Sequence, residues 1–368
     1  MHVVAPAPVG GLEQVLVALA IGQQAAGHTV SVAAVVTAGD QEPAVVARLQ
    51  SLGIEVHVIA SRPRAYWSQV AAIRALRGRL APDTIHTHGY HPDVLGAVLK
   101  RFPSRTSLVS TAHGFSRGPL KNRVYERLQL HALRRFDAVV AVSRKLAAEL
   151  EAGGCQPSRV RVLPNAWSPI EPPLAQTDAR QALGIPSEIF SIGWVGRVSY
   201  EKGLDVLIRA LSLVPEIPLR LTVIGDGPER PVAQNLAKTL GVDARIAWPG
   251  RVPDAARLLR AFDVLVISSR TEGTPMALLE AMSAGVPILT TAVGGIPDVV
   301  SRDDAILVPP EDPTVIADGL RASFADPEAA AVRAEHARAR VESAYAVQPW
   351  VEAYDLVYSA ARAVADTR

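Results

Sequence analysis

Two glutamates and two cations carry the densest chemical signal in this sequence. Glu272 and Glu280 stand with seven residues between them in Ser268-Ser269-Arg270-Thr271-Glu272-Gly273-Thr274-Pro275-Met276-Ala277-Leu278-Leu279-Glu280. The apolar run Val264–Ile267 ahead of them predicts a strand. Pro275 suits the first turn of a following helix, where its missing N–H would have had no partner. Gly285 and Pro287 then stop that helix. Glu272 therefore falls in the loop before the helix, and Glu280 on it, about one and a half turns in. Neighbours on a helix face are three or four residues apart, so these carboxylates reach different parts of one extended ligand. Its charged portion would lie near the helix N-terminus. Taken singly, Glu272 reads as a capping residue and Glu280 as a solvated face. Together with Gly273, Pro275 and the turn that follows, they favour a ligand.

A second loop, Gly193-Trp194-Val195-Gly196-Arg197-Val198-Ser199-Tyr200-Glu201-Lys202-Gly203, follows a predicted strand and opens a predicted helix, Leu204–Leu213. Arg197 and Lys202, five residues apart, suit a diphosphate: one is a forked donor, the other a point charge. Alone, each would be an ordinary surface cation. Near the start, Gly10 and Gly11 separate the first strand from the first helix and would let backbone approach a phosphate. That signal is weak, because the Gly-x-Gly-x-x-Gly fingerprint is missing. Few residues precede these glycines, so the first strand is expected to be short or the natural start to lie upstream.

Histidines form the remaining chemistry. His113 ends the run Ser110-Thr111-Ala112, a place suited to catalysis, although a lone histidine is more often structural. In Ile85-His86-Thr87-His88-Gly89-Tyr90-His91, His86 and His88 alternate as strand residues do and share a face. Apart from Asp93, no Asp, Glu or Cys lies immediately beside them, so a ligand pocket or packing is favoured over zinc.

The elements that must hold these residues alternate along the chain. Short β-branched runs at His2–Ala5, Thr29–Val36, Val56–Ala60, Thr84–Thr87, Ser107–Ala112, Ala138–Val142 and Val160–Leu163 are separated by amphipathic segments such as Leu12–Ala25, Ala44–Leu52 and Leu120–Phe136. That rhythm predicts βαβ units and a parallel sheet. The stretch Pro164–Pro173, with four prolines, breaks it and reads as a linker. A second series follows at Ile189–Val195, Leu219–Ile224, Arg245–Trp248, Val264–Ile267, Pro287–Thr291 and Ala305–Val308, with a helical tail from Pro327 broken near Tyr345–Pro349.

The 368 residues, 49% hydrophobic and 20% charged, fit two compact domains and exclude a disordered chain. No apolar run is long enough to span a bilayer, and Met1 to Gly11 lack the features of a secretory signal. With Cys155 alone, no internal disulfide is possible, and a reducing cytoplasm is expected. Charge is split: residues 1–165 hold 19 Lys and Arg against 10 Asp and Glu, whereas the remainder holds 19 against 26. The first half should meet something anionic, yet no nucleic-acid module accompanies the charge. Much of it sits in 117–135, where Arg117, Lys121, Arg123, Arg127, Arg134 and Arg135 face only Glu126. Leu120, Val124 and Leu128 repeat there at intervals of four. Such a helix either buries that stripe or rests on anionic lipid or a polyprenyl diphosphate.

The segment from Glu272 to Glu280, continued by Ala281-Met282-Ser283-Ala284-Gly285-Val286-Pro287, resembles the donor-binding motif of family 4 retaining glycosyltransferases (glycosyl transferases group 1) of the GT-B fold. The resemblance implies that Glu272 holds sugar hydroxyls and Glu280 the ribose. Gly273, Thr274, Pro275, Met276 and Ala277 would lie along the sugar and distal phosphate. The loop Gly196-Arg197 to Lys202-Gly203 is similar to the family's G-R-x-x-x-x-K-G loop, which makes Arg197 and Lys202 diphosphate ligands that stabilise the leaving phosphate in place of a metal. No metal and no cofactor are then expected. Gly10 and Gly11 would face donor phosphate and acceptor, and His113 the transferred sugar. Backbone at Arg251 and Val252 would contact the base, with Ile224–Glu229 shaping that edge and Gly294-Gly295-Ile296 a further turn on the phosphate side. His113, Arg197, Lys202 and Glu272 are the implied reaction centre; His86, His88, Arg117 and Lys121 are the implied acceptor side.

The implied architecture is α/β, with two Rossmann-like domains whose parallel sheets face each other across a cleft. An acceptor domain spans 1–165, a nucleotide-sugar domain spans 166–345, and a helix over 346–368 returns to the first. The implied reaction moves a sugar from a UDP- or GDP-linked donor to a glycan, lipid-linked or small-molecule acceptor in cell-surface polysaccharide or glycolipid synthesis, in the cytoplasm or peripherally on the inner membrane face. Retention follows from the resemblance, and a same-face displacement is preferred because no carboxylate nucleophile stands out in the first half. A nucleotide-sugar epimerase and a catalytically idle binding subunit remain alternatives. A nicotinamide oxidoreductase is disfavoured by the missing dinucleotide fingerprint.

Overall fold

The computed structural model describes residues 1–6, 11–114, 120–169 and 171–367, and only the backbone of 120–123. The chain divides into two compact units, Met1–Ala166 with Val347–Arg368, and Trp167–Ala346.

In the first unit the strands are β1 (His2–Val4), β2 (Ser31–Thr37), β3 (Glu55–Ser61), β4 (Thr84–His88), β5 (Ser107–Ala112), β6 (Ala138–Ala141) and β7 (Val160–Val162). The helices between them are α1 (Gly11–Ala25), α2 (Ala44–Ser51), α3 (Tyr66–Leu80), α4 (Tyr90–Leu99), α5 (Leu120–Leu133) and α6 (Arg144–Ala152). All strand pairs are parallel, in the order β3-β2-β1-β4-β5-β6-β7. Successive strand residues point to opposite faces, which splits the core in two. Val3, Ala33 and Ile85 join one apolar cluster, and Val4, Val32 and Ala34 another. Both faces are covered, as a parallel sheet requires.

The second unit has β8 (Phe190–Val195), β9 (Leu219–Ile224), β10 (Ile246–Gly250), β11 (Val264–Ile267), β12 (Ile288–Thr291) and β13 (Ile306–Val308). Its helices are α7 (Gln176–Leu183), α8 (Leu204–Ser212), α9 (Arg230–Thr239), α10 (Met276–Ala284), α11 (Ile296–Val299), α12 (Pro313–Ala325) and α13 (Pro327–Ala344). The sheet is again parallel, ordered β10-β9-β8-β11-β12-β13. Asp326 caps α13 by accepting the N–H of Ala329, with Pro327 at the first helical position. After a break at Tyr345 and Ala346 comes α14 (Val347–Asp366), which packs on α1, β5 and β6 of the first unit.

These are two Rossmann-like parallel sheets, and each reverses strand order once. The reversal falls between β1 and β4 in the first sheet and between β8 and β11 in the second. Loops leaving the carboxyl ends of the two strands at such a point diverge to opposite faces and leave a crevice that binds ligands. Among the described residues no helix is long and apolar enough to cross a membrane.

Candidate active site

At the β8/β11 reversal the two loops with sequence-derived site residues meet. After β8 the chain makes a single tight turn, Tyr200–Lys202, and Gly203 adopts a left-handed conformation at φ 62°. A Cβ on Gly203 would stand 2.0 Å from the carbonyl oxygen of Ser268, so only glycine lets this loop lie against the end of β11. Lys202 Nζ then donates to both carboxylate oxygens of Glu272, at 2.7 and 2.8 Å. Ser269 Oγ donates to Oε1 of the same carboxylate at 2.6 Å. The Glu272 side chain is 7% exposed and that of Lys202 28%, so the pair is largely shielded from water, where charge-assisted bonds are strong.

The Glu272 loop is backed by the turn after β12. Gly294, at φ 58°, lies so close that a Cβ there would be 1.8 Å from the Glu272 carbonyl, and Gly295 N–H bonds the carbonyl of Gly273 at 3.0 Å. Arg270 ties the two loops together from outside. Its guanidinium grips both oxygens of Asp205 at the start of α8 (2.8 Å each), the carbonyl of Tyr200 (2.7 Å) and Glu311 (2.9 Å), and stacks over the Tyr200 ring at 4.1 Å. Its backbone N–H also bonds the Glu201 carbonyl. The hydrogen bonds to Asp205, ahead of those to Glu311, raise its already high pKa, so the clamp is permanently charged.

Around this pair, Gly196 and Gly273 are half-buried, Thr274, Pro275 and Met276 are buried, Ala277 is half-buried, and Glu280 is buried on α10. Pro275, at the N-cap of α10, makes no side-chain cap bond. Arg197 is exposed, with no acidic partner among the described residues. Arg251 is exposed and Val252 half-buried just after β10. The arrangement offers a paired ammonium and a helix N-terminus for an anion and a carboxylate for hydroxyls, with the exposed Arg197 five residues before Lys202 on the same loop.

The first unit brings its histidines together at the other reversal point. His2 on β1 and His86 and His88 on β4 share the sheet face covered by α1 and α14. Gln23 Oε1 accepts from His2 Nε2 at 2.7 Å, which leaves His2 Nδ1 to accept from His88 Nε2 at 3.0 Å. Gln23 Nε2 donates to the Tyr358 hydroxyl at 2.7 Å, which in turn donates to His86 Nδ1 at 2.8 Å. His86 Nε2 then donates to Thr111 Oγ1 at 2.8 Å, and Thr111 meets Tyr354 at 2.9 Å. Tautomers follow from amide oxygen accepting and amide nitrogen donating. Both nitrogens of His86 are taken, which suits packing better than acceptor contact. His88 Nδ1 and His113 Nε2 are buried with no partner among the described residues, and the two rings lie 5.8 Å apart.

His2, His86 and His88 present nitrogens within 4.8 Å of one another. An ion there would have to displace Gln23, Tyr358, Thr111 or the His2–His88 bond, and the set contains no carboxylate or thiolate. The hydrogen-bonded chain fits these atoms better. Gly11 is exposed at the start of α1, while Gly10 and Arg117 and the side chain of Lys121 lie outside the described residues. Sequence reading missed Ser269 and Arg270 as supports, and missed His2, Gln23, Tyr354 and Tyr358 altogether. The available signals were an arginine two residues before Glu272 and two tyrosines four residues apart, neither specific.

Comparison with known proteins bears on these loops. Residues 175–340 match the family described as Glycosyl transferases group 1, and residues 9–168 match Glycosyltransferase Family 4. The D-inositol 3-phosphate glycosyltransferase of Xylanimonas cellulosilytica is 32% identical over 316 residues, 78% of this chain and 74% of that protein. The lipopolysaccharide core biosynthesis mannosyltransferase LpsB of Rhizobium meliloti is 29% identical over 237 residues, 61% of this chain and 66% of that protein. Among solved structures, Anabaena HepE in complex with UDP-glucose superposes with a TM-score of 0.85 at 22% identity, covering 97% of this chain and 98% of that one. WaaG, a glycosyltransferase involved in lipopolysaccharide biosynthesis, gives 0.75 at 21%, covering 97% and 99%. At those identities the likeness is one of fold.

The histidine chain makes stability depend on pH. Burial lowers His2 to about 3 and His113 to about 4, and holds His86 and His88 well below the ordinary value. A histidine depressed in the fold contributes fully above the unfolded value of about 6.5, and that contribution is lost as pH falls toward the folded one, by about 1.4 kcal/mol per pH unit. Asp93, held by Thr87, Ser110 and Gln129, is pushed by burial up to about 6 and works in the opposite sense below that pH. Four imidazoles outweigh one carboxyl. Urea denaturation should therefore give a free energy at pH 5 lower than at pH 7 by on the order of 6 kcal/mol. Equal stability at the two pH values would contradict the buried neutral chain.

Proposed function

The chain belongs to the family 4 glycosyltransferases, glycosyl transferases group 1, of GT-B fold, and uses a nucleotide sugar; from that premise we propose a retaining, metal-independent transfer from a UDP- or GDP-linked hexose. The observation that carries this reading is the Lys202–Glu272 contact at the β8/β11 reversal, which sets an ammonium and a hydroxyl-binding carboxylate side by side. Arg197 and Lys202 take the diphosphate and Glu272 the sugar hydroxyls. Glu280 takes the ribose, and backbone at Arg251 and Val252 the base. Gly273 to Ala277 lie along the sugar and distal phosphate.

In the reaction an acceptor hydroxyl oxygen attacks the anomeric carbon on the face that the phosphate leaves. The bond from that carbon to the phosphate oxygen breaks, and the hydroxyl proton passes to the departing phosphate. Negative charge grows on the phosphate as the bond stretches, where Arg197 and Lys202 stabilise it without a metal.

For the acceptor, the basic balance of residues 1–165 favours an anionic group. The relatives named above act, by their names, on an inositol phosphate and on lipopolysaccharide core, which supports a phosphorylated or lipid-linked acceptor in cell-surface glycoconjugate synthesis. Helix α5 adds a peripheral membrane contact to the proposal. Its Val124 and Leu128 are 55% and 49% exposed, beside exposed Arg127, His131, Arg134 and Arg135. An apolar stripe flanked by cations suits an anionic lipid surface. Trp67, 71% exposed at the start of α3 next to exposed Arg62 and Arg64, suits the same interface.

Screening with UDP-, GDP-, ADP- and TDP-sugars by thermal shift should identify one that stabilises the protein. Glu272→Ala and Lys202→Ala should each lower turnover of that donor by at least about a hundredfold with folding retained. Near-normal turnover in either variant would sink the assignment. Sedimentation with phosphatidylglycerol vesicles should capture the protein while phosphatidylcholine vesicles do not, and Leu128→Asp should release it. Equal capture by both, or by neither, removes the membrane contact.

A further inference from the structure

Lys202 has two claimants. Its ammonium, assigned above to the diphosphate, spends two contacts on the Glu272 carboxylate, at 2.7 and 2.8 Å, in a site where that carboxylate is 7% exposed. Glu272 in turn relies on Lys202 and on Ser269, whose hydroxyl donates to it at 2.6 Å. The loops bearing the pair are fixed by Gly203 against Ser268, by Gly294 against Glu272 and by the Arg270 clamp. The carboxylate therefore cannot retreat far from the place where phosphate charge would sit. A bare nucleoside diphosphate entering this site must draw Lys202 from Glu272 and leave a shielded carboxylate short of donors while adding negative charge beside it. Both effects oppose binding. A sugar-bearing diphosphate meets the same charge but brings hydroxyls that donate to Glu272 in place of the ammonium.

We propose that Glu272 competes with the diphosphate for Lys202, so that the site selects against the bare nucleoside diphosphate and for the form that still carries its sugar. The inference rests on the donor-site reading above and goes beyond it. Glu272 becomes a specificity-determining group that weakens product binding and speeds release of the spent nucleotide. Glutamate, rather than a neutral hydroxyl binder such as glutamine, is then required for a reason apart from holding the sugar.

Calorimetric titration of UDP, GDP and ADP into the full chain tests this, using the nucleotide that wild type binds tightest. Glu272→Gln keeps the shape and can still accept from Ser269 and Lys202, but it removes the charge. It should bind the bare nucleotide about tenfold more tightly and the matching UDP-glucose or GDP-mannose more weakly than wild type. Lys202→Met should abolish that gain, so that the double variant Lys202→Met, Glu272→Gln binds the nucleotide no better than Lys202→Met alone. Glu201→Gln removes a neighbouring charge that bonds Ser199 rather than Lys202, and should leave affinity within about twofold. Bare-nucleotide affinity that is unchanged or weakened in Glu272→Gln overturns the proposal while the donor-site reading stands. A gain that persists without Lys202, or that Glu201→Gln reproduces, overturns the competition in favour of general charge. Absence of nucleotide binding in every protein overturns the donor-site reading and this inference together.

Discussion

The ion pair between Lys202 and Glu272 is the constraint around which the second unit is arranged. A carboxylate largely withdrawn from water must keep its donors, since an unpaired one costs several kcal/mol. The surrounding features serve that need: glycines that permit backbone contact on both sides of the loop, a serine for the second lone pair, and an arginine locking the two strand-end loops together. The pair forms only because β8 and β11 are adjacent at the point where strand order reverses. Topology brings together residues that the sequence keeps seventy positions apart.

The first unit solves a different problem at its own reversal point. Three histidines, a glutamine and two tyrosines sit on a sheet face that would ordinarily be apolar. They are tolerable there because each donor finds an acceptor in one chain of bonds running from α1 through β1 and β4 to α14. The final helix is therefore part of this unit's interior and not an appendage: Tyr354 and Tyr358 complete the chain. Kept neutral by burial, the imidazoles add no charge of their own. Among the described residues, exposed cations of this half include Arg62, Arg64, Arg74, Arg79, Arg127, Arg134 and Arg135.

The fold was legible because both sheets are parallel and covered on both faces, which writes each strand as a short β-branched run. Val264–Ile267, Leu219–Ile224 and Ser107–Ala112 have the bounds read from sequence; elsewhere the ends moved by a residue or two, outward where the ladder outlasts the apolar run, as at the end of Ile246–Gly250, and inward where it stops short of it, as at Ala138–Ala141. The site was legible through loop composition, since Arg197, Lys202, Glu272 and Gly273 lie in motifs with local spacing. The partners of those residues were not. That Lys202 would hold Glu272, that Arg270 would brace both loops, or that His2 would meet His88 depends on strand order, which no local pattern encodes. Burial of Val124 and Leu128 was one of two outcomes open to α5, and the structure exposes them instead.

The central claim is that a nucleotide sugar lies across the β8/β11 reversal, with its charge on Arg197 and Lys202 and its hydroxyls on Glu272. A crystal structure of the chain soaked with UDP-glucose or GDP-mannose tests it most directly. The account predicts the diphosphate in hydrogen-bonding contact with Arg197 and Lys202, the hexose on Glu272 and the ribose on Glu280. A donor bound with its diphosphate away from those two cations, or held at the histidine chain of the first unit, would contradict it.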